Sequence, residues 1–265
     1  MFPDTDRVIY EHAPLVDVTC QLRFPTILRI EGELPAAFQE RVRHHFPNFT
    51  QEQEGVVPDL PPELAKAIGA LPGPAERTKY RFSSEDESWS LTLTRDFLAL
   101  STTSYTRWED FRDRLQGPIN ALVEEYRPTA FSRVGLRYID LIRKSTIGLE
   151  NADWQDLLQV HILGELAVAF VRESAQQVAK QVRFTIDSNF GVLLQHGFAE
   201  EKDSREQAYV IDYDFYTAKK TETGNAIGIL NNFNGYARRA FRWCITDTLH
   251  GALGPTPVEL HRQSA

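Results

Sequence analysis

The chain has 265 residues, and 29 basic against 37 acidic side chains give it a formal net charge of −8. With 42% hydrophobic and 25% charged residues, its composition is that of a globular protein and excludes a disordered chain. The acidic balance argues against a general nucleic-acid binder, because a phosphate backbone attracts cationic surface.

The two cysteines, Cys20 and Cys244, are too few and too far apart for a disulfide framework or a zinc ribbon. They indicate a reducing compartment. The first residues lack a cationic segment followed by an apolar one, so no signal peptide is expected. The longest apolar run, residues 166–171, is far shorter than the roughly 20 residues of a membrane span. The sequence therefore predicts a cytoplasmic protein that makes no membrane contact.

The first half of the chain begins with a strand at residues 16–24, where apolar and polar side chains alternate. A helix starts at Pro35 and ends before Pro47. Residues 47–75 are rich in proline, which predicts a long excursion from the fold. Three strands and a helix complete this half, at residues 80–83, 88–95, 97–103 and 107–126.

The second half begins with a strand at residues 131–143. In this strand Asp140 shares the apolar side with Val134, Leu136 and Tyr138. Helical patterning follows at residues 154–180. The remaining elements are three strands and a helix, at residues 182–187, 190–196, 208–217 and 226–253.

Both halves, residues 1–128 and 129–265, thus have the order β-α-β-β-β-α. Each half also begins with a similar triplet, Leu22-Arg23-Phe24 in the first and Leu136-Arg137-Tyr138 in the second. These two features suggest an internal duplication. We expect an α+β fold in which helices pack on one face of an antiparallel sheet and the two halves form one compact unit.

Short motifs occur in order along nearly the whole chain: QLRFP at residues 21–25, VGLRYI at residues 134–139 and FRW at residues 241–243. With these motifs the chain resembles a sporadically distributed bacterial family of uncharacterised proteins. Asp140 departs from the family pattern, in which asparagine is expected. The resemblance implies an accessory role, in toxin–antitoxin or phage-defence neighbourhoods. It points to no particular biochemical activity.

Four arginines form the first candidate site: Arg23, Arg133, Arg137 and Arg143. All four lie on the polar sides of the strands that begin the two halves. If those strands share a sheet, the guanidinium groups can bind an anionic ligand such as a nucleotide. Alternatively, each arginine pairs with an acid on a neighbouring element, with Asp17, Asp96 and Asp140 among the candidates.

Three aspartates form the second candidate site: Asp187, Asp212 and Asp214. Asp212 and Asp214 share one side of a strand, and Asp187 lies on a nearby strand. Three carboxylates can hold Mg²⁺. The alternatives are a solvated sheet face, or ion pairs with the arginines above.

No motif predicts catalysis. The chain has no Gly-x-Ser-x-Gly elbow, phosphate-binding loop, Gly-x-Gly-x-x-Gly fingerprint or paired metal-binding histidines. We therefore expect no cofactor and a non-enzymatic binding protein that self-associates or has a protein partner. In this interpretation it is an antitoxin-like or phage-defence factor. The alternative is an enzyme or sensor that binds a phosphorylated or nucleotide ligand through the arginines.

Overall fold

The computed structural model describes residues 2–55, 76–175, 178–200, 206–217 and 219–258. Its strands are β1 Val8–Tyr10, β2 Leu15–Arg23, β3 Asn48–Gly55, β4 Glu76–Ser83, β5 Trp89–Leu93, β6 Phe97–Thr102, β7 Arg133–Ile142, β8 Ala179–Thr185, β9 Phe190–Glu200, β10 Gln207–Thr217 and β11 Pro255–Pro257. Its α-helices are α1 Arg29–Gly32, α2 Ala36–Val42, α3 Trp108–Tyr126, α4 Trp154–Leu157, α5 Val160–Leu163, α6 Ala169–Ser174, α7 Ala226–Cys244 and α8 Asp247–Ala252.

Nine strands form one antiparallel sheet, in the order β3-β4-β5-β6-β2-β7-β10-β9-β8. β1 and β11 pair separately as a two-stranded ribbon. The protein therefore has the predicted α+β fold. Four strands extend outward from β2, in the order β6, β5, β4 and β3, and three extend outward from β7, in the order β10, β9 and β8. The strand number falls outward on both sides, and β3 has no counterpart beyond β8. A duplication would produce this order, and the duplication itself stays a prediction.

The alternation of side chains decides which face of the sheet the helices cover. In β2, Val18, Cys20 and Leu22 are fully buried, while Asp17, Thr19, Gln21 and Arg23 point to the opposite face. The two longest helices, α3 and α7, pack their apolar sides on the buried face. Phe111 of α3 contacts Trp89 of β5, and Phe233 of α7 contacts Phe215 of β10. The predicted one-sided helix layer is present, and the polar face of the central strands is open.

The structure differs from the sequence-based elements in three places. Residues 48–55 form β3 instead of the start of a loop, because this stretch holds no proline and Phe49 packs on Phe82 of the paired strand. Of the predicted excursion, residues 56–75 lie outside the described residues. The final predicted helix is two helices, since Ile245 is extended and Thr246 caps α8. The predicted helical stretch 154–180 contains short helices and the first residues of β8.

Both cysteines are buried and free, in agreement with their apolar positions in the sequence. None of the helices within the described ranges has both the length and the apolar character that a membrane crossing requires.

Candidate functional site

The open face of the sheet carries two of the predicted arginines in ion pairs. Arg137 Nε lies 2.8 Å from Asp212 Oδ1, and its Nη2 lies 2.6 Å from Asp212 Oδ2, a two-bond pair. Arg133 Nη2 lies 2.6 and 2.7 Å from the two carboxylate oxygens of Asp214. The Arg133 guanidinium also lies over the Tyr216 ring, 5.4 Å from its centroid. Two candidate ligand-binding cations are thus neutralised by two candidate metal-binding anions.

The other two arginines lie at different distances from these pairs. Arg23 is directly opposite Arg133 in the β2–β7 register, and its Nε donates to Gln21 Oε1 at 3.0 Å. Arg143 follows the far end of β7, ten residues beyond Arg133, which is about 33 Å along a strand. The sheet therefore brings Arg23, Arg133 and Arg137 to one region and leaves Arg143 far from it.

The three aspartates do not meet. Asp187 lies in the turn before β9, where its Oδ1 accepts hydrogen bonds from the backbone N–H groups of Asn189 and Phe190. Asp212 and Asp214 lie within β10 and are held by the arginines. Within the described ranges, no group of three or more histidine, cysteine, aspartate or glutamate side chains is arranged to hold a metal ion.

A cavity of about 470 Å³ lies on the other face of the sheet, under the helix layer. Residues from β7 and β10 form its floor, α7 and the start of α3 form its walls, and β1 crosses its mouth. We call it the Asp140 pocket, after its most unusual residue. Its polar lining includes Tyr105, Tyr138, Asp140, Tyr213 and Asn234.

Asp140 projects from β7 toward the core and is 6% exposed. Its neighbour on β2 is Leu15, where the register shifts between Leu15 and Asp17. A bulge of this kind re-aims side chains and is common beside functional sites. Within the described part of the chain, the Asp140 carboxyl makes no hydrogen bond and no ion pair. Burial, with a further contribution from the Asp212 charge, raises its pKa from 3.8 to about 8, so the carboxyl is mostly protonated at neutral pH.

Three tyrosines and one asparagine surround this acid. Asn234 Nδ2 donates to Tyr138 Oη at 2.9 Å, and the Tyr105 ring meets the Tyr138 ring edge-on at 5.9 Å. Tyr213 Oη donates to Cys244 Sγ at 3.1 Å. Burial raises the pKa of Tyr105, Tyr138 and Tyr213. All three hydroxyls are therefore neutral, and the pocket has an aromatic interior with neutral hydrogen-bonding groups.

The mouth of the pocket is cationic. Arg7 pairs with Glu109 at 2.6 Å, and Arg107 pairs with Asp110 at 3.0 Å. Arg238, on α7, donates from Nη1 to the backbone oxygen of Thr5 at 2.9 Å. No carboxylate of the described residues lies within ion-pair distance of Arg238. Burial, followed by the charges of Arg239 and Arg7, lowers the pKa of Arg238, and the charges of Asp4 and Asp6 offset part of this shift.

The N-terminal arm, residues 2–14, lines the pocket through residues 7–11, 13 and 14. Phe2 packs on Trp243, and Tyr10 packs edge-on against Phe241 at 5.7 Å. Tyr10 Oη and His250 Nδ1 are 2.8 Å apart, in a hydrogen bond to the last helix. The arm is therefore held by aromatic contacts and by the β1–β11 ribbon.

The sequence does not predict the pocket, but one residue in it, Asp140, is unusual enough to indicate a special site. A charged residue on the apolar side of a predicted strand is unusual, because burying a carboxylate without a partner is costly. Asp140 has that position in residues 131–143. Arg7 and Tyr10 carry no comparable signal, since only the fold brings the arm over α7.

No protein-family model matches the chain, and no curated protein matches it. The resemblance to the sporadic bacterial family stays a prediction, so function is argued from the geometry of the site.

Proposed function

We propose that this protein binds a small molecule in the Asp140 pocket and acts through binding rather than through catalysis. The observation that carries the proposal is the buried Asp140 carboxyl, which faces a cavity and has no partner in the described part of the chain. A buried polar group without a partner destabilises the fold. Natural proteins keep such groups where function requires them, here where a ligand completes the missing hydrogen bonds.

The size and lining of the pocket support a small-molecule ligand. Its volume of about 470 Å³ falls in the range of ligand cavities, about 300–1,000 Å³. The lining combines aromatic rings from Tyr105, Trp108, Tyr138 and Phe241 with a few polar groups. This combination buries an apolar ligand body and fixes its orientation through few hydrogen bonds.

The protonation of the lining favours recognition by hydrogen bonds over nucleophilic or general-base catalysis. Tyr105, Tyr138 and Tyr213 have raised pKa values, so none of them is ionised as a nucleophile or base at neutral pH. The Asp140 carboxyl is protonated as well and offers one donor and one acceptor. Such groups recognise a ligand by hydrogen bonds.

The arginines of the open face have less support as a ligand site. Arg133 and Arg137 are already paired with Asp214 and Asp212, so an anion would have to compete with two carboxylates. The expected protein partner, the self-association and the role in toxin–antitoxin or phage defence stay predictions. A protein that responds to a small molecule is compatible with each of them.

A thermal-shift screen of a metabolite library tests the proposal. We expect at least one compound to raise the melting temperature of the wild-type protein, because binding to the folded state alone stabilises it. The same compound should not raise that of Asp140→Leu. The matched control is Gln195→Leu, which places a leucine on the opposite, exposed face of the sheet and should respond as wild type does. The proposal fails if no compound stabilises the wild type, or if the active compounds stabilise Asp140→Leu equally.

A further inference from the structure

The charges at the mouth of the Asp140 pocket indicate the kind of ligand it takes. Three guanidinium groups line the cavity, those of Arg7, Arg107 and Arg238, against the single carboxylate of Glu11. Glu109 and Asp110 neutralise the first two. Arg238 forms no ion pair with a carboxylate of the described residues, and the charges of Asp4 and Asp6 offset only part of the lowering of its pKa by burial and by Arg239 and Arg7. A mouth of this charge attracts an anionic group and repels a cationic one.

A second observation points to the same place. Thr5 accepts from Arg238 through its backbone oxygen, and its Oγ1 is buried without a hydrogen-bond partner among the described residues. Thr5 and Arg238 both line a neighbouring cavity of about 640 Å³, which shares Arg7, Tyr10 and Phe241 with the Asp140 pocket. An unused hydroxyl thus belongs to the residue that accepts from Arg238, and Arg238 itself lines both cavities, whereas Thr5 and Asp6 line only the neighbouring one. A carboxylate or phosphate oxygen accepts hydrogen bonds from both groups.

The inner end of the pocket has different chemistry. A protonated carboxyl offers an O–H donor beside a C=O acceptor, which pairs with the donor–acceptor edge of an amide or a nitrogen heterocycle. The rings of Tyr105, Trp108 and Tyr138 suit a flat ring system. The two ends together select a ligand that is planar at one end and negatively charged at the other.

Building on the proposed function, we propose that the ligand is a planar nitrogen heterocycle with one anionic group, of the size of a nucleoside monophosphate. Its heterocyclic edge pairs with the Asp140 carboxyl, and its anionic group binds Arg238 and the Thr5 hydroxyl.

Isothermal titration calorimetry with chosen probes tests this ligand class. The probes are the four common nucleoside 5′-monophosphates, their nucleosides, nicotinate and inorganic phosphate. We expect at least one monophosphate, or nicotinate, to bind the wild-type protein below about 1 mM. Tighter binding of nicotinate would identify a heterocyclic acid as the source of this chemistry, and tighter binding of a monophosphate would identify a nucleotide.

Variants assign the two ends of the ligand. Arg238→Gln should weaken binding of the anionic probe about tenfold or more and leave its uncharged counterpart unchanged. The matched control is Arg239→Gln, which removes the same charge from the next residue, outside the pocket lining, and should stay within about twofold. Asp140→Asn keeps one donor and one acceptor and should retain most of the affinity, whereas Asp140→Leu should abolish binding.

Three results would overturn the inference. The first is that no heterocyclic anion binds, and the second is that Arg238→Gln has no effect on binding. The third is that Asp140→Asn loses binding, which would indicate that the ligand is a cation paired with an ionised carboxylate. The metabolite screen separates this failure from that of the proposed function. If Asp140-dependent ligands are found but are cations or lack an anionic group, the ligand class is wrong and the binding pocket stands. If the screen yields no ligand, both proposals fail.

Discussion

Asp140 and Asp212 are two aspartates of similar burial with opposite surroundings. They are 6% and 7% exposed and project from adjacent strands to opposite faces of the sheet. Asp212 forms two hydrogen bonds with Arg137. Asp140 faces the pocket without a partner among the described residues. The paired Asp212 contributes to the stability of the fold, and Asp140 reduces it.

We expect Asp140→Asn to raise the free energy of unfolding at pH 7 by about 4 kcal/mol. The folded protein must keep the Asp140 carboxyl protonated, whereas the unfolded chain ionises it, and asparagine has no such cost. The matched change Asp212→Asn should lower the free energy of unfolding by about 1–2 kcal/mol, because it weakens the pair with Arg137. Urea unfolding measures both. Destabilisation by Asp140→Asn would mean that this carboxyl has a structural role.

The pH dependence of stability follows from the same group. The Asp140 pKa is about 8 in the folded protein and 3.8 as an unperturbed aspartate. Between these values the folded state binds one more proton than the unfolded state, so its stability falls as the pH rises. The slope from this one group is about 1.4 kcal/mol per pH unit. The stability gap between wild type and Asp140→Asn should therefore widen from about pH 4.5 to about pH 7.5. A gap that stays constant with pH would contradict the raised pKa.

At the scale of single residues, the sequence predicts which face of a strand a side chain lies on, and whether it is buried. It predicts the ion-pair and hydrogen-bond partners of that side chain less well. The alternation in residues 16–24 and 131–143 assigns Val18, Cys20 and Leu136 to the core, and the structure confirms each. The sequence alone does not decide that Arg137 pairs with Asp212, because this pair depends on β7 lying beside β10 in the sheet. Asp140 is visible as an exception to the pattern, and only the fold shows the cavity that it faces.

At the scale of elements, the N-terminal arm is part of the wall of the Asp140 pocket. It is held by the ring contacts of Phe2 and Tyr10, by the Arg7–Glu109 ion pair and by the short β1–β11 pairing. Segments with few buried contacts open locally at low free energy. We therefore expect the arm to open locally at a lower free energy than the nine-stranded sheet.

We expect Tyr10→Ala to speed amide hydrogen exchange in residues 8–12 roughly tenfold or more, since it removes an edge-on ring contact and a hydrogen bond. Exchange in β2 should not change. The matched control is Ile9→Ala, the neighbour on the same strand, whose side chain is 43% exposed. Equal effects of the two variants would show that the β1–β11 pairing alone holds the arm.

Elements with strong periodicity are predicted well, and short ones are not. The helix at residues 107–126 agrees with α3, because its apolar positions recur at helical spacing. β1 and β11 have only three residues each and pair with each other across almost the whole chain. No local pattern specifies such a ribbon. Its strand β1 nevertheless lines the pocket.

At the scale of the whole molecule, the α+β class follows from the order of elements, while the strand order of the sheet does not. Antiparallel hairpins account for the neighbours β4-β5-β6 and β8-β9-β10. The central β2–β7 pair joins residues more than a hundred positions apart, and this pairing places the bulge beside Asp140. The site thus depends on a contact between the two halves that neither half specifies alone.

The central claim is that the Asp140 carboxyl binds a ligand and that, without the ligand, it lowers the stability of the folded protein. Both parts can be measured on one variant, Asp140→Leu, by recording its melting temperature without and with the compounds from the metabolite screen. We predict a higher melting temperature than wild type without ligand and no increase when ligand is added. A lower melting temperature together with an undiminished ligand shift would contradict the claim.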